Sequence, residues 1–420
     1  MSESKYLIVG SSHAGLTALE AIRMQDEEGS ITLLTQEKYL PYSPTILPYV
    51  VSGLVDAKEA FLRDEEAVNR YGIEFKRDAK VVGVEPQART VKLESGESVQ
   101  YERLLLATGA RPVLPPISGL EDAPYHVLRT LDDAIELHSA VQKAKSAIVL
   151  GAGLIGMHAA ENLAKRGREV TVVEAMSHVL PGYFDEQAAA LVKRVFSDNG
   201  IKILTGSTVT CAGGSDRGCI VSLESGEEFS ADLLMVATGV KSNIDYLSES
   251  GIEVDEGIVV DETMRTNAEG IWAAGDVAQA QSFFGDGKRV NAILPNAVEQ
   301  GRIAGRDMVG DQAVKPFPGG LPMNTYRFMG HNAFSVGMSQ VPEADGGYEV
   351  EQVSLTDSLH YQKLIFKEGQ LVGASGINSS MDPGIMLQLI GRKVDLEEVK
   401  TQFLASPVDT GRILMSRLWR

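Results

Sequence analysis

The feature that most constrains this chain is a pattern that occurs twice: an apolar strand, a glycine-containing turn and a helix. The first copy is YLIVGSSHAGLTALEAIRM, in which apolar residues recur at helical spacing after Gly10. The second is SAIVLGAGLIGMHAAENLAKRG, with a complete G-x-G-x-x-G run at Gly151, Gly153 and Gly156. Glycine lets the backbone turn sharply and lets a pyrophosphate approach the helix N-terminus. The sequence therefore predicts two dinucleotide-binding strand–helix units.

The second copy also carries the acid that such a unit needs. The segment EVTVVEA predicts a strand that ends in Glu174. A carboxylate there accepts hydrogen bonds from the ribose hydroxyls and repels a 2′-phosphate. The next residues, Ala-Met-Ser, include no arginine. This unit is therefore predicted to prefer NAD over NADP.

The first copy departs from the pattern at two positions. Ser12 replaces the middle glycine, and the second strand, ITLLT, ends in Thr35 rather than an acid. Glu37 follows two residues later, and we expect it to reach the ribose in place of the missing acid.

Three further segments complete the pattern. LLLATGARP (104–112) and LLMVATGVKSN (233–243) each predict a strand that runs into Ala-Thr-Gly, where the chain crosses between domains. GIWAAGDVA (270–278) predicts a strand ending in Gly275 and Asp276, just before a helix. Asp276 is expected to bind a polyol chain or a water that bridges to a pyrophosphate; the alternative is a helix cap.

Taken in this order, GSSHAG, ATGARP, GAGLIG with Glu174, the second ATG and AAGD resemble the two-dinucleotide-binding flavoproteins of the pyridine nucleotide–disulfide oxidoreductase superfamily. The resemblance covers residues 4 to about 310. It implies an α/β fold with two Rossmann-like nucleotide-binding domains, one for FAD and one for NAD, plus an α+β C-terminal interface domain. The implied domains are 1–117 with 247–318 for FAD, 118–246 for NAD, and 319–420 for the C-terminal domain.

The resemblance also implies the contact residues. For FAD they are Gly10, Ser12, His13, Ala14, Gly15, Glu37, Pro44, Thr45, Ala107, Thr108, Gly109, Gly275, Asp276, Asn296 and Ala297. For NAD they are Gly151, Gly153, Leu154, Ile155, Gly156, Glu174, Thr238 and Gly239. No side chain is assigned as catalytic, because the chemistry would belong to the flavin. His158 either lines the nicotinamide pocket or is an ordinary polar residue of its helix.

The segment LPNAVEQGRIAGRDMVG (294–310) predicts a further helix. Asn296 with Glu299 three residues later is a capping-box pattern. In the family, this helix directs its N-terminus at the flavin, where its partial positive charge favours the reduced, anionic form. The alternative is a plain capped surface helix.

The run PYSPTILPY (41–49) resembles a branch with coenzyme A disulfide reductases and NADH oxidases, in which a cysteine stands at or beside Thr45. A threonine hydroxyl is far too weakly acidic to replace a thiolate. The two cysteines of the chain, Cys211 and Cys219, lie elsewhere, on either side of AGGSDRG. We expect that segment to be a hairpin loop, with both cysteines facing each other or the core. Disulfide reduction is therefore not expected.

The flavin must then pass its electrons to another acceptor. Because the chain has no four-cysteine run, an iron–sulfur centre would belong to a separate polypeptide. LPYSPTILPYVVSG, YHVLRTLDDA and GGLPMNTYRFMGH resemble the NAD-handling FAD subunit of phenylglyoxylate dehydrogenase-type 2-oxoacid oxidoreductases. This resemblance implies iron–sulfur partner subunits and a thiamine diphosphate subunit set that oxidises a 2-oxoacid.

Two alternatives stay open. One is a free-standing NADH oxidase or an NADH:rubredoxin or ferredoxin reductase. The other is a non-catalytic flavin-binding assembly or sensor protein. An intact NAD fingerprint favours turnover over a scaffold role.

Composition narrows the partners and the location. A net charge of −18 argues against nucleic acid and anionic membranes. No apolar run is long enough to span a bilayer, and the N-terminus lacks the features of a signal peptide. We therefore expect a cytoplasmic protein. We also expect no metal site.

The C-terminal region carries two further patterns. In QKLIFKEGQLVGA, a Glu-Gly turn is predicted to join two strands. The aromatic run YRFMGHNAF (326–334), with Tyr326, Phe328, Met329 and Phe334, is expected either to face a partner protein or to form a core strand.

Overall fold

The computed structural model describes residues 3–216, 218–342 and 346–418, and the chain divides into two compact units. Unit 1 comprises Met1–Val113, Arg129–Leu131 and Val240–Leu321. Unit 2 comprises Leu114–Leu128, Asp132–Gly239 and Pro322–Arg420. None of the helices in the described ranges combines the length and the apolar character that a membrane crossing demands.

The described α-helices are α1 (His13–Arg23), α2 (Leu47–Val51), α3 (Glu65–Arg70), α4 (Leu131–Lys143), α5 (Leu154–Lys165), α6 (Glu186–Asp198), α7 (Leu294–Met308), α8 (Pro383–Gly391), α9 (Lys400–Ala405) and α10 (Pro407–Leu418). The described strands are β1 (Glu3–Val9), β2 (Ile31–Leu34), β3 (Glu74–Lys76), β4 (Val81–Glu85), β5 (Thr90–Leu93), β6 (Ser98–Leu106), β7 (Ala110–Pro112), β8 (Tyr125–His126), β9 (Ser146–Leu150), β10 (Glu169–Val173), β11 (Lys202–Leu204), β12 (Val209–Ser215), β13 (Gly218–Leu223), β14 (Glu228–Ala231), β15 (Leu233–Val236), β16 (Val240–Ser242), β17 (Ile258–Val259), β18 (Ile271–Ala273), β19 (Ala278–Gln281), β20 (Lys288–Arg289), β21 (Met323–Phe328), β22 (His331–Gly337), β23 (Tyr348–Leu355), β24 (His360–Lys367) and β25 (Gln370–Ile377).

Unit 1 is built on a seven-stranded sheet. Its strands run in the order β3-β2-β1-β6-β5-β4, and β18 pairs with β6. The strands β3, β2, β1, β6 and β18 are parallel, and their carboxyl ends are in register: Val9 pairs with Leu34 and Leu106, and Leu106 pairs with Ala273. The apolar runs predicted as strands are buried, as expected for parallel strands covered on both faces. The predicted Rossmann-like α/β architecture is confirmed.

The helices α1 and α7 of this unit approach each other backbone to backbone. A Cβ atom on Gly301 would lie 2.3 Å from the carbonyl oxygen of Ala14, and one on Gly305 would lie 2.5 Å from that of Ala18. Only glycine therefore fits at these two positions of α7. The contact packs the first turns of α1 against the second half of α7.

The predicted capping box of α7 is wrong. The helix begins at Leu294 after Ile293, with Pro295 in its first turn, and no side chain caps it. Asn296 is therefore already helical, because proline, which favours the first turn, draws the helix start ahead of it. The side chain of Asn296 donates to the carbonyl oxygen of Asn291 at 3.3 Å instead.

Unit 2 contains a second parallel sheet, in the order β11-β10-β9-β15-β8. The carboxyl ends again coincide, since Leu150 pairs with Val173 and Val236, and Val173 pairs with Leu204. A separate three-stranded sheet, β12-β13-β14, contains the two cysteines.

The predicted cysteine hairpin forms, but the cysteines do not face each other. Cys211 on β12 lies opposite Ser222, and Cys219 on β13 lies opposite Gly214. Cys219 faces the core with no exposed surface, whereas Cys211 is exposed. The expectation that both would be inward-facing is therefore wrong for Cys211.

The C-terminal part of unit 2 is an antiparallel sheet in the order β21-β22-β25-β24-β23. The predicted Glu-Gly turn joins β24 to β25, with positive φ at both Glu368 and Gly369, as a tight hairpin requires. In the aromatic run, Tyr326, Phe328 and Phe334 are buried. The prediction of a core strand is therefore confirmed, and the prediction of a surface that faces a partner protein is wrong.

A polar contact fastens this sheet to α6 within unit 2. The carboxylate of Asp185 caps α6 and accepts hydrogen bonds from the Tyr361 hydroxyl at 2.6 Å and the Lys363 ammonium at 2.9 Å. The nearly buried Lys363 thus has its charge neutralised.

The close approach of α1 and α7 generates a test. Alanine is a better helix former than glycine by about 1 kcal/mol, so Gly305→Ala would stabilise α7 if nothing touched it. We expect the opposite, a loss of about 1–3 kcal/mol in the free energy of unfolding, because the new methyl group meets the Ala18 carbonyl. Urea denaturation measures the difference.

The matched control is Gly287→Ala in the same unit, where nothing lies within 4 Å of the added methyl group. Its stability should stay within about 0.5 kcal/mol of the parent. A Gly305→Ala protein more stable than the parent would contradict the packing described here.

Candidate nucleotide-binding sites

The predicted FAD contacts of unit 1 follow the row of aligned strand ends. Gly10 follows β1, Glu37 lies three residues beyond β2, Ala107 follows β6, and Gly275 and Asp276 come just after β18. A crevice at the carboxyl ends of parallel strands is where open α/β sheets bind ligands. The structure therefore brings these four segments to one edge.

Two glycines make the first turn possible. A Cβ atom on Gly10, whose φ is +114°, would lie 2.1 Å from the Ala107 carbonyl oxygen. One on Gly15 would lie 1.8 Å from the oxygen of Gly10. Ser12 precedes α1 with an extended backbone, so the serine at the middle position needs no left-handed conformation.

Three small residues converge at the mouth of this turn. A Cβ atom on Gly275 would lie 3.1 Å from that of Ala14 and 3.7 Å from that of Ala297. The main-chain N–H of Gly275 donates to the side-chain oxygen of Gln300 at 2.8 Å. The starts of α1 and α7 therefore pack closely against the loop after β18.

Asp276 has a partner that sequence reasoning missed. A guanidinium nitrogen of Arg129 donates to its carboxylate at 2.8 Å, and the Ser242 hydroxyl donates to its carbonyl oxygen at 2.9 Å. Asp276 stands before β19, so the expected helix after it is absent from this described segment and the helix-cap reading is wrong. The only signal for Arg129 was the YHVLRTLDDA resemblance, which gave it no role.

Glu37 is held by Tyr42, another residue that the sequence did not single out. The Tyr42 hydroxyl donates to the Glu37 carboxylate at 2.8 Å and accepts the Leu131 main-chain N–H at 3.0 Å. Burial and the Glu37 carboxylate raise the pKa of Tyr42, which keeps it a protonated donor. Tyr42 thereby ties the Glu37 loop to the segment that carries Arg129.

The Ala-Thr-Gly segment after β6 is also fixed within unit 1. The Thr108 hydroxyl donates to the Asn243 carbonyl oxygen at 3.1 Å and lies 3.2 Å from the Tyr246 hydroxyl. Gly109 has a φ of +66°, and an added Cβ would be 3.3 Å from the Arg129 guanidinium. Gly109, a predicted FAD contact, therefore lies next to the Arg129 side chain that pairs with Asp276.

Pro44 and Thr45 belong to a single 3₁₀ turn, Pro44–Ile46. The Thr45 hydroxyl is exposed and lies 2.8 Å from the Ser43 hydroxyl. The Ser43 hydroxyl in turn lies 2.9 Å from Nε2 of His13, at the start of α1. Ser43, which the sequence did not single out, thus links His13 and Thr45, two of the predicted FAD contacts.

The three glycines of the G-x-G-x-x-G turn in unit 2 differ in their surroundings: two pack tightly against the protein, and one faces open space. A Cβ atom on Gly151 would lie 2.4 Å from the carbonyl oxygen of Ala237. A Cβ atom on Gly156 would lie 2.0 Å from the carbonyl oxygen of Gly151. At Gly153 nothing lies within 4 Å. The protein's own packing does not require that glycine, whereas a pyrophosphate at the N-terminus of α5 does.

Glu174 closes the turn from the neighbouring strand. Its carboxylate accepts the Ala152 N–H at 2.6 Å and the Met176 N–H at 2.8 Å. Each carboxylate oxygen keeps a free lone pair, which can accept a ribose hydroxyl. The buried acid is therefore oriented before any ligand binds.

The other predicted NAD contacts lie around the same strand ends. Leu154 and Ile155 form the first turn of α5, and Ile155 is exposed. Thr238 and Gly239, both exposed, follow β15, and Gly239 has a φ of +116°. The structure thus brings all the predicted NAD contacts to one edge of the sheet.

His158 packs against the C-terminal sheet of unit 2. Its ring centroid lies 5.0 Å from that of Tyr326. Burial lowers the pKa of His158, although the Glu161 carboxylate and a hydrogen bond to the Arg327 backbone oppose this. This placement gives His158 a packing role that the sequence did not show.

Both groups of residues fit a dinucleotide. Unit 1 offers a glycine turn, carboxylates at Glu37 and Asp276 for hydroxyl groups, and the Arg129 guanidinium for a phosphate. Unit 2 offers an open Gly153 and the oriented carboxylate of Glu174.

The open space at Gly153 can be tested directly. Because an added methyl group touches nothing in the protein, Gly153→Ala should leave the free energy of unfolding within about 0.5 kcal/mol of the parent. It should weaken NADH binding by about 1–3 kcal/mol, because a methyl group obstructs the pyrophosphate. Calorimetric titration with NADH measures the affinity.

Gly182→Ala, which is likewise free of contacts within 4 Å, serves as the control and should bind NADH like the parent. Unchanged NADH affinity in Gly153→Ala would show that the pyrophosphate does not lie there.

Comparison with known proteins shows the family of the chain. The family model for pyridine nucleotide-disulphide oxidoreductases matches residues 4–301. The epsilon subunit of NADH-dependent phenylglyoxylate dehydrogenase from Aromatoleum evansii is 48% identical, with 100% of this chain and 99% of that protein covered. A rubredoxin-NAD(+) reductase from Pseudomonas putida is 32% identical, over 74% of this chain and 82% of its own.

Solved structures share the fold. A ferredoxin reductase from Rhodopseudomonas palustris matches with a TM-score of 0.84 and 26% identity, over 94% of this chain and 96% of its own. The chain belongs to the pyridine nucleotide-disulphide oxidoreductase family and is an FAD-dependent NAD(H) oxidoreductase.

Proposed function

We propose that this chain is the FAD-carrying electron-transfer subunit of a 2-oxoacid-oxidising complex of the phenylglyoxylate dehydrogenase type. Its electrons would pass between iron–sulfur centres on partner subunits and NAD. The observation that carries the proposal is Thr45, a hydroxyl where related enzymes have a redox cysteine, in a chain that keeps its NAD turn and Glu174. Identity along the whole length to the epsilon subunit from Aromatoleum evansii supports the choice of complex.

The cysteines that the chain does have are unsuited to redox work. Cys219 is fully buried, burial raises the pKa of its thiol, and the thiol donates to the Ala231 carbonyl oxygen. Cys211 is exposed on the neighbouring strand and lies opposite a serine. Because neither residue supports a thiolate–disulfide pair, the proposal excludes disulfide reduction.

The residues of each unit have distinct tasks under this proposal. Bound FAD would supply the exchange of a hydride with NAD(H) and of single electrons with an iron–sulfur centre. Asp276, Arg129 and Glu37 hold the FAD, and the start of α7 directs the positive end of its helix dipole into the same crevice. Glu174 selects the nucleotide by accepting its ribose hydroxyls.

Several finer statements belong to the same proposal. They are the individual FAD and NAD contacts named from the sequence, the domains 1–117 with 247–318, 118–246 and 319–420, a thiamine diphosphate partner that oxidises the 2-oxoacid, and a cytoplasmic location.

A second candidate is a free-standing NADH:rubredoxin or ferredoxin reductase. The 32% identity to rubredoxin-NAD(+) reductase from Pseudomonas putida favours it, because the name of that protein pairs rubredoxin with NAD. The two candidates share the same chemistry and differ only in whether the partner stays bound. A non-catalytic scaffold is set aside, because the chain is an oxidoreductase by family.

The nucleotide preference gives the first test. The holoprotein should reduce a dye with NADH much faster than with NADPH, because the Glu174 carboxylate accepts ribose hydroxyls and repels a 2′-phosphate. Glu174→Ala should weaken NADH binding by about 1–3 kcal/mol and relax the preference. Steady-state kinetics with both nucleotides measure it.

Glu169→Ala is the matched control, since this exposed glutamate begins the same strand, β10. It should leave the preference unchanged. Equal rates of the parent protein with NADH and NADPH would refute the assignment of Glu174.

The partner gives the second test. Affinity purification of the tagged chain from its native cells should recover iron–sulfur subunits in fixed proportion, together with a thiamine diphosphate enzyme. The reason is that the chain has two cysteines and so cannot hold a four-cysteine cluster itself. Subunit composition is read by mass spectrometry and cluster content by iron analysis.

Recovery of this chain alone, with full activity toward a purified rubredoxin or ferredoxin, would favour the free-standing reductase. The tagged chain should bind FAD and oxidise NADH in either case, so that property does not discriminate.

A further inference from the structure

The lack of a thiol at Thr45 excludes a redox role but gives no role to its hydroxyl group. In the structure its hydroxyl ends a continuous line of hydrogen bonds: Thr45 Oγ1 to Ser43 Oγ at 2.8 Å, and Ser43 Oγ to His13 Nε2 at 2.9 Å. Thr45 is exposed, whereas Ser43 and His13 are partly buried. The line therefore runs from the surface to the first residue of α1, beside the FAD crevice.

The backbone holds the two hydroxyls together. Ser43 has φ −92° and ψ 116°, the extended conformation that the following Pro44 imposes. Its N–H donates to the Ala60 carbonyl oxygen at 3.1 Å, and its own carbonyl oxygen accepts the Ile46 N–H at 3.3 Å. Because the turn is anchored on both sides, the hydroxyls of Ser43 and Thr45 are preorganised.

Both hydrogen bonds can run in either direction. A hydroxyl donates and accepts, and His13 Nε2 does one or the other according to its tautomer. Within the described residues, no protein group bonds the other ring nitrogen of His13, Nδ1. Burial lowers the pKa of His13, and the nearby Asp276 carboxylate, which is paired with Arg129, opposes this. The imidazole can thus take up a proton at one nitrogen and release one at the other.

The proposed function creates a need for such a line. A hydride carries two electrons and one proton. When NADH gives a hydride and two one-electron acceptors each take an electron, the balance is NADH plus two oxidised acceptors giving NAD⁺, one proton and two reduced acceptors. The proton must leave for water, and in the reverse direction it must enter.

We propose that His13, Ser43 and Thr45 form the path by which this proton passes between the FAD crevice and solvent. The inference rests on the proposed function, because a site that exchanges hydrides on one side and single electrons on the other must release or take up a proton. His13 exchanges the proton at Nδ1, Ser43 passes it on, and Thr45 exchanges it with water.

The test uses the FAD-loaded protein, reduced with NADH and then mixed rapidly with ferricyanide, a one-electron acceptor, in weak buffer with a pH indicator. Proton release and electron loss are recorded separately. The variants are Thr45→Val, which keeps shape and removes the hydroxyl, Ser43→Ala, and the conservative Thr45→Ser. Thr401→Val, at an exposed position of α9, is the matched control.

In Thr45→Val and Ser43→Ala, proton release should slow by about 100-fold relative to the parent protein, the lower end of what a positioned acid–base group contributes. Thr45→Ser and Thr401→Val should behave like the parent. Added imidazole, a diffusible proton carrier, should restore the rate in Thr45→Val, which a merely structural defect would not permit. FAD affinity, titrated separately, shows that each variant keeps its site.

Proton release in Thr45→Val as fast as in the parent would overturn the path and leave the proposed function standing. So would a slow variant that imidazole does not restore. A parent protein that passes no electrons to ferricyanide would overturn the proposed function and the path together.

Discussion

Both nucleotide sites depend on one steric constraint, the contact between the last glycine of each turn and the carbonyl oxygen of the first. A side chain at Gly15 or Gly156 would begin 1.8 Å or 2.0 Å from that oxygen, closer than any real contact. The helix can therefore start directly behind its strand, with its N–H groups aimed into the crevice. The residues proposed to bind the two dinucleotides lie around these two helix starts.

The two units complete their sites in different ways. In unit 2 the acid comes from the adjacent strand, and main-chain N–H groups of its own turn orient Glu174. In unit 1 groups distant in sequence surround the turn: α7 packs glycine-to-backbone on α1, and Arg129 pairs with Asp276. The FAD crevice is thus a product of tertiary packing, while the NAD turn is largely local.

This difference explains what the sequence could predict. The glycine turns, Glu174 and the Glu-Gly hairpin depend on residues within one short segment, and each was predicted from its pattern. The Arg129–Asp276 pair joins residues 147 positions apart, and the Tyr42–Leu131 bond joins residues 89 apart, so no local pattern contains them. Asn296 was assigned to a helix cap, and a cap was the alternative for Asp276, because a cap is a common local use of such residues. Pro295 and strand β19 decide otherwise.

The substitution at residue 45 separates two tasks that a thiol performs together. A redox disulfide accepts two electrons, and the thiols that form bind the accompanying protons, so a disulfide reductase can keep both at one place. Hydroxyl groups conduct protons but hold no electrons at accessible potentials. Under the proposed function, Ser43 and Thr45 in this turn give electrons and protons different routes out of the site. The electrons then go to a redox centre on another protein, because neither cysteine of this chain is suited to accept them.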